Sequence, residues 1–94
     1  MIPVHPGRVL RRELRVRGLT ANRLALQLRV PSGRIIEILN GKRAVSAEPA
    51  LRLGRFLGTG GRFWVMLQAR YDLALAEERL GARVSQEVPS PATP

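Results

Sequence analysis

The sequence predicts a compact all-α domain of five helices built around a helix-turn-helix, and three observations predict it. Apolar residues recur at helical spacing through most of the 94 residues. Between those stretches stand breakers: Gly18, Arg29-Val30-Pro31, Gly41, Gly58 and Gly60-Gly61. The segment Leu19 to Gly41, LTANRLALQLRVPSGRIIEILNG, has the form of two short helices on a tight turn, with apolar residues where such a pair must pack. No strands are expected.

The elements follow in order. His5-Pro6-Gly7 forms a leading turn, with His5 a surface or capping residue. Helix one is expected from about Gly7 to Arg17, with Val9, Leu10 and Leu14 inward and Gly18 stopping it. Thr20 is a good N-cap for helix two, and Ala21 to Leu28 contains no glycine or proline. Leu24, Ala25 and Leu28 share one face; Ala25 is small where two helices cross steeply, and Val30 plugs the crossing. Pro31 pushes the residue before it out of the α region and suits the start of the next helix. Helix three is expected over Ser32 to Asn40, with Ile35, Ile38 and Leu39 inward and Gly41 as its C′ residue.

Lys42 to Val45 is a connecting loop. Ser46 caps helix four, Glu48 favours its positive end, and Pro49 is harmless in its first turn. Ala50, Leu53 and Leu57 face the core and Gly58 ends the helix. Gly60-Gly61 is expected to be a flexible joint before helix five, about Arg62 to Leu80. Residues 81–94, with Pro89, Pro91 and Pro94, predict a poorly ordered tail, which leaves residues 1–80 as the domain. About 80 residues is near the size at which a single core is only marginally stable, and dimerisation would help.

A helix-turn-helix is a DNA-reading device whose second helix enters the major groove. An ordinary helical hairpin in a small domain has the same inward pattern, so charge weighs in the choice. The chain carries 16 Lys+Arg against 7 Asp+Glu, a formal charge of +9. Residues 1–46 hold ten basic and two acidic residues; residues 47–94 hold six and five. A basic half containing the candidate recognition helix is the footprint expected for a polyanion. A membrane is the competing polyanion, but no segment approaches the roughly 20 apolar residues of a spanning helix. No apolar signal region opens the chain, which fits a cytoplasmic protein.

On helix three, Ile35, Ile38 and Leu39 define the buried side, and Gly33, Glu37 and Asn40 point away from it. Ser32, Gly33, Arg34, Ile36 and Glu37 are the candidate base-reading residues. Arg34 suits guanine O6 and N7, and Ile36 a thymine methyl, while Gly33 lets the backbone approach closely. Glu37 accepts from cytosine N4 or, as the preferred reading, orients Arg34 three residues back. Thr20, Asn40, Lys42 and Arg43 suit phosphates, which fix register without reading sequence.

In helix five, Phe63, Trp64, Leu67, Tyr71 and Leu75 make one broad stripe. Phe63 and Leu67 are expected to close the core, with Val65, Met66 and Leu73 flanking the stripe; Trp64, Tyr71 and Leu75, or the 73–80 end, are expected at a two-fold dimer interface. Catalysis is not expected. His5 is the one histidine, no carboxylate pair suits acid–base work, and Glu77-Glu78 is a solvated helix face. Gly58, Gly60 and Gly61 surround Thr59 without the lysine of a phosphate loop, and there is no cysteine. No metal ligand cluster and no cofactor are expected.

On its residues the chain resembles the XRE-type (Cro/CI-like) helix-turn-helix regulators, and more narrowly the HigA-type antitoxins of toxin–antitoxin operons. The resemblance rests on HPGRVLRREL, on GLTANRLALQLRVPSGRIIEILNGKRAVSAEPALRLGRFLGT and on FWVMLQARYDLALA, about residues 5–76. It implies a lambda-repressor-like five-helix domain that binds double-stranded operator DNA as a homodimer and represses its own operon. It also implies neutralisation of a RelE-like (HigB-type) mRNA-cleaving toxin, and it assigns Ser32, Gly33, Arg34, Ile36 and Glu37 to the groove and Asn40, Lys42 and Arg43 to the backbone. Two positions depart from the pattern: Arg29 stands where the turn favours glycine, and Gly60-Gly61 where Ser-Pro is usual. Two other classes remain open at this point: a stand-alone phage-type repressor without a toxin, and a basic protein-interaction module.

Overall fold

A computed structural model describes residues 3–91. The first two residues and the last three of the expected tail lie outside the described residues. Five helices follow one another: α1 (Pro6–Arg17), α2 (Ala21–Leu28), α3 (Ser32–Leu39), α4 (Ala47–Leu57) and α5 (Gly61–Glu87). There is no strand among the described residues.

Local chemistry sets the ends of the first three helices. His5 Nδ1 accepts from the Gly7 N–H at 2.9 Å and caps α1. Thr20 Oγ1 accepts from the Arg23 N–H at 3.1 Å and caps α2. Each of these helices then closes with a left-handed residue: Gly18, Arg29 and Gly41. At each, the following N–H folds back on a carbonyl of the last turn: Leu19 on Leu14 at 2.9 Å, Val30 on Ala25 at 3.0 Å and Lys42 on Glu37 at 2.8 Å. Arg29, at φ 58°, adopts this geometry without being glycine, at a cost of about 1 kcal/mol.

Leu10, Leu24, Ile35, Ile38, Leu53 and Trp64 form the centre of the core and are fully buried. Ala25 is buried at the α2–α3 crossing, and Val30 packs against the core from the turn. Two backbone approaches depend on glycine. A Cβ at Gly7 would collide with the Ile38 carbonyl, so Gly7 lets α1 lie against the end of α3. A Cβ at Gly54 would collide with the Gly60-Gly61 backbone. The Gly58 and Gly60 N–H groups both donate to the Gly54 carbonyl, at 3.0 and 3.1 Å. Gly60-Gly61 is therefore a tightly packed corner, not the flexible joint expected.

Three further expectations are corrected. α3 ends at Leu39, with Asn40 as its cap. Ser46 stands at the start of α4 but its side chain makes no capping bond. α5 runs on to Glu87, past Leu80 and into the expected tail. Gly81 weakens the helix without ending it, residues 82–87 contain no glycine or proline, and Arg83 bonds Glu87 at 2.9 Å one turn on. The stop comes from Pro89, which holds Val88 in an extended conformation (φ −114°, ψ 116°).

Candidate nucleic-acid interface

α3 is held by α1 and α2, and its remaining face is bare. Gly33, Ile36, Glu37 and Asn40 are exposed; Ser32 and Arg34 flank them, half-buried. Ile36 leaves 43% of its surface exposed, although the domain has an apolar core beside it. At Gly33 a Cβ would meet nothing within 4 Å, so packing does not require this glycine. The five candidate base-reading residues thus form one continuous surface.

The candidate phosphate contacts sit at its margins. The Thr20 oxygen is occupied by the cap, which leaves its hydroxyl proton to donate outward. Asn40 Oδ1 accepts from Arg11 Nη2 at 3.1 Å, which orients the amide so that its NH₂ is the free end. Glu37 does not orient Arg34: its Oε1 accepts from Arg43 Nε at 2.8 Å. The turn at Gly41 reverses the chain and carries Arg43 back over the end of α3, a closure that helical i−3 spacing does not reveal. Glu37 thereby aims Arg43, whose terminal nitrogens stay available.

Not all the basic charge faces outward for a partner. Three arginines cap the C-terminal carbonyls of neighbouring helices: Arg11 on Leu39 of α3 at 3.2 Å, Arg17 on Leu57 of α4 at 3.0 Å, and Arg52 on Leu28 of α2 at 3.0 Å. Each places a cation at the negative end of a helix dipole. Glu13 and Glu48 pair with Arg17 and Arg52 one turn away.

Sequence reasoning missed the support beneath the loop after α3. Gln68 of α5 is buried; its Oε1 accepts from the Val45 N–H at 2.8 Å and its Nε2 donates to Asp72 at 2.9 Å. His5 stacks edge-on against Tyr71, with ring centres 4.9 Å apart. Burial lowers the His5 pKa; Asp72 and a backbone hydrogen bond with Arg43 oppose that shift. α1, the loop carrying Lys42 and Arg43, and α5 therefore meet at one point. The detectable signal was a glutamine inside the inward stripe of α5.

The α5 assignments need revision. Trp64 has 0% exposure and donates from Nε1 to Thr59 Oγ1 at 2.9 Å, so it belongs to the core and not to an interface. Phe63, expected inside, leaves 41% of its surface exposed and touches Trp64 with its ring edge. Leu67 packs on the core as expected. Tyr71 and Leu75 are half-buried. The bare apolar stripe of α5 is instead Met66, Leu73, Leu80 and Val84. Among the described residues no helix is long and apolar enough to cross a membrane, and no acidic or histidine group is placed to hold a metal ion.

No family model matches the chain. It is 43% identical over 79 residues to Virulence-associated protein I of Dichelobacter nodosus, across 83% of this chain and 73% of that protein. Its fold matches that of an addiction module antidote protein of a HigA family from Coxiella burnetii with a TM-score of 0.93, at 41% identity, across 97% of this chain and 100% of that one. It also matches Pseudomonas aeruginosa antitoxin HigA, solved with the higBA promoter: TM-score 0.92, 35% identity, 96% of this chain and 99% of that one. Five helices around an exposed second helix of a tight pair define the helix-turn-helix class. Within it, the chain belongs to the HigA family of antitoxins.

Proposed function

We propose that this chain is an operator-binding antitoxin of the cytoplasm. It reads an inverted-repeat operator as a homodimer, represses its own operon and neutralises a RelE-like, HigB-type toxin. The observation that carries the reading is the bare face of α3: an exposed isoleucine, an unneeded helical glycine and an arginine, rimmed by oriented donors. Arg34 grips guanine and Ile36 covers a thymine methyl, while Ser32 and Gly33 admit the DNA closely and the free edge of Glu37 accepts from cytosine. Thr20, Asn40, Lys42 and Arg43 hold phosphates on either side. The promoter held by the Pseudomonas relative supports DNA as the partner.

The dimer forms through the outer face of α5. Leu73, Leu80 and Val84 replace Trp64 as its anchors, and Tyr71 and Leu75 border them.

Titration of DNA from upstream of the chain's own gene tests the reading. Binding weakens steeply with salt, log K falling by about 0.9 per phosphate contact per log unit. Arg34→Ala relaxes specificity at one base position and costs about 1–3 kcal/mol, whereas Arg43→Ala weakens all sequences alike. Absence of sequence-preferring binding at about 100 mM salt, in the regime where such contacts still operate, would defeat the DNA half. Co-expression with the neighbouring gene product tests the other half: failure to relieve its toxicity leaves a stand-alone repressor.

A further inference from the structure

The outward face of α1 carries Arg8, Arg11, Arg12 and Arg15, all exposed and all on one side of the helix. With Val4 and Val9 they line an open groove. Arg11 is turned toward the end of α3, on the Leu39 carbonyl and the Asn40 side chain. Among the described residues Arg8, Arg12 and Arg15 have no acidic partner. The acid of this helix, Glu13, pairs with Arg17 instead.

Such a stripe works against folding. Arg8 with Arg12, and Arg11 with Arg15, are like charges one turn apart, which destabilise a helix. Arg17 and Arg52 differ: each earns its place by capping a carbonyl. Arg11 does the same at Leu39, but Arg8, Arg12 and Arg15 have no comparable internal use among the described residues.

Its location supplies one. Arg11 touches Asn40, at the phosphate-anchoring end of α3. Arg15 shares a second groove with Leu19, Ala21 and Leu39, beside the start of α2 where Thr20 stands. The stripe therefore runs along the edge of the helix-turn-helix and joins its two sets of candidate phosphate contacts. From Arg8 to Arg15 it spans about 10 Å along the helix, and the long arginine side chains widen that reach to neighbouring phosphates of one strand.

We infer that the α1 arginine stripe is a second DNA contact, which clamps the phosphate backbone of the duplex flanking the half-site and reads no bases. Guanidinium groups bind phosphate in paired hydrogen bonds, and several of them on one face can hold neighbouring phosphates of one strand. An acidic protein fits less well, because the two valines of the groove offer little of the apolar anchoring that protein interfaces need. The inference rests on the DNA reading proposed above.

Two duplexes test it: one limited to the operator core, and one extended by about one helical turn, roughly 10 base pairs, on each side. Wild type is expected to bind the longer duplex more tightly, with a steeper salt slope. The triple variant Arg8→Gln, Arg12→Gln, Arg15→Gln should lose that advantage, about tenfold or more near 100 mM salt, with a slope lower by about 2–3 per protomer. Base preference should not change. Replacement of the same three residues by lysine should keep most of the slope, and an unchanged circular dichroism melt shows that both variants fold. Equal binding of wild type and the glutamine variant to the longer duplex overturns the inference while the DNA reading stands. So does a glutamine variant that keeps its DNA affinity and fails only to co-purify with the neighbouring gene product. Failure of wild type on both duplexes removes the DNA reading and this inference with it.

Discussion

α3 and α5 both leave apolar side chains bare, and they do so in opposite structural settings. α3 is eight residues long, is packed by α1 and α2, and closes in a turn reinforced by Arg11 and by the Glu37–Arg43 pair. Its exposed isoleucine sits in a rigid frame. α5 is 27 residues long, about 40 Å, in a molecule whose longest dimension is 53 Å. Its early turns pack on α4, with Trp64 and Leu67 in the core and Gln68 on the Val45 N–H of the loop before α4. Beyond Leu75 every side chain of the helix is exposed. A solitary helical extension gains little stability from propensity alone. The bare face of α3 is complete as it stands; the bare face of α5 calls for a second surface to cover it.

Glycines give the sharpest way to break the comparison. Gly7→Ala forces a methyl into the Ile38 carbonyl and should destabilise the fold by about 2–3 kcal/mol, read from denaturant midpoints. Gly33→Ala, in open space on α3, should stabilise the fold by up to about 1 kcal/mol while weakening operator binding. A Gly33→Ala variant that lost stability would show that α3 is not free of packing there. Next in size, Leu73→Glu with Leu80→Glu should convert the proposed dimer to monomer at low micromolar concentration, as seen by light scattering, with the melt of the five-helix core retained. A dimer that survives both changes moves the interface away from this stripe.

A smaller effect is expected at the turn between α2 and α3. Arg29→Gly removes left-handed strain and should add about 0.5–1 kcal/mol to stability. An unchanged melting temperature would mean that the extra backbone freedom of glycine in the unfolded chain offsets the relief. The smallest effect concerns His5, whose folded pKa lies below the ordinary 6.5. Well above 6.5 the ring is neutral in both states. As pH falls below 6.5 the unfolded chain binds the proton first, so stability is lost until the folded pKa is passed. His5→Asn, which keeps a capping side chain, should flatten that slope as pH falls through 6.5, relative to wild type.

Much of the helix-turn-helix was legible in the sequence, because its bounds are set by neighbours in the chain. Thr20 caps its own helix, Pro31 restricts its own predecessor, and Gly41 closes its own turn; the observed limits of α2 coincide with those expected. The inward triplets Leu24, Ala25, Leu28 and Ile35, Ile38, Leu39 hold for the same reason, Leu39 at the half-buried margin. α5 was less legible. Phe63 and Trp64 are consecutive, about 100° apart around the helix, and which one is buried depends on where α4 lies and on the hydroxyl of Thr59.

By itself the sequence determined the five helices, the caps and breakers between most of them, and the residues on the outer face of the second short helix. These are matters of backbone preference and apolar period, which act over a few residues. Only the tertiary structure decided what the charges and glycines do. It turned Glu37 toward Arg43, set three arginines on helix ends, buried Trp64, and made Gly7 and Gly54 points of backbone contact. Such roles depend on distances between segments far apart in the chain, and those distances exist only once the helices have packed.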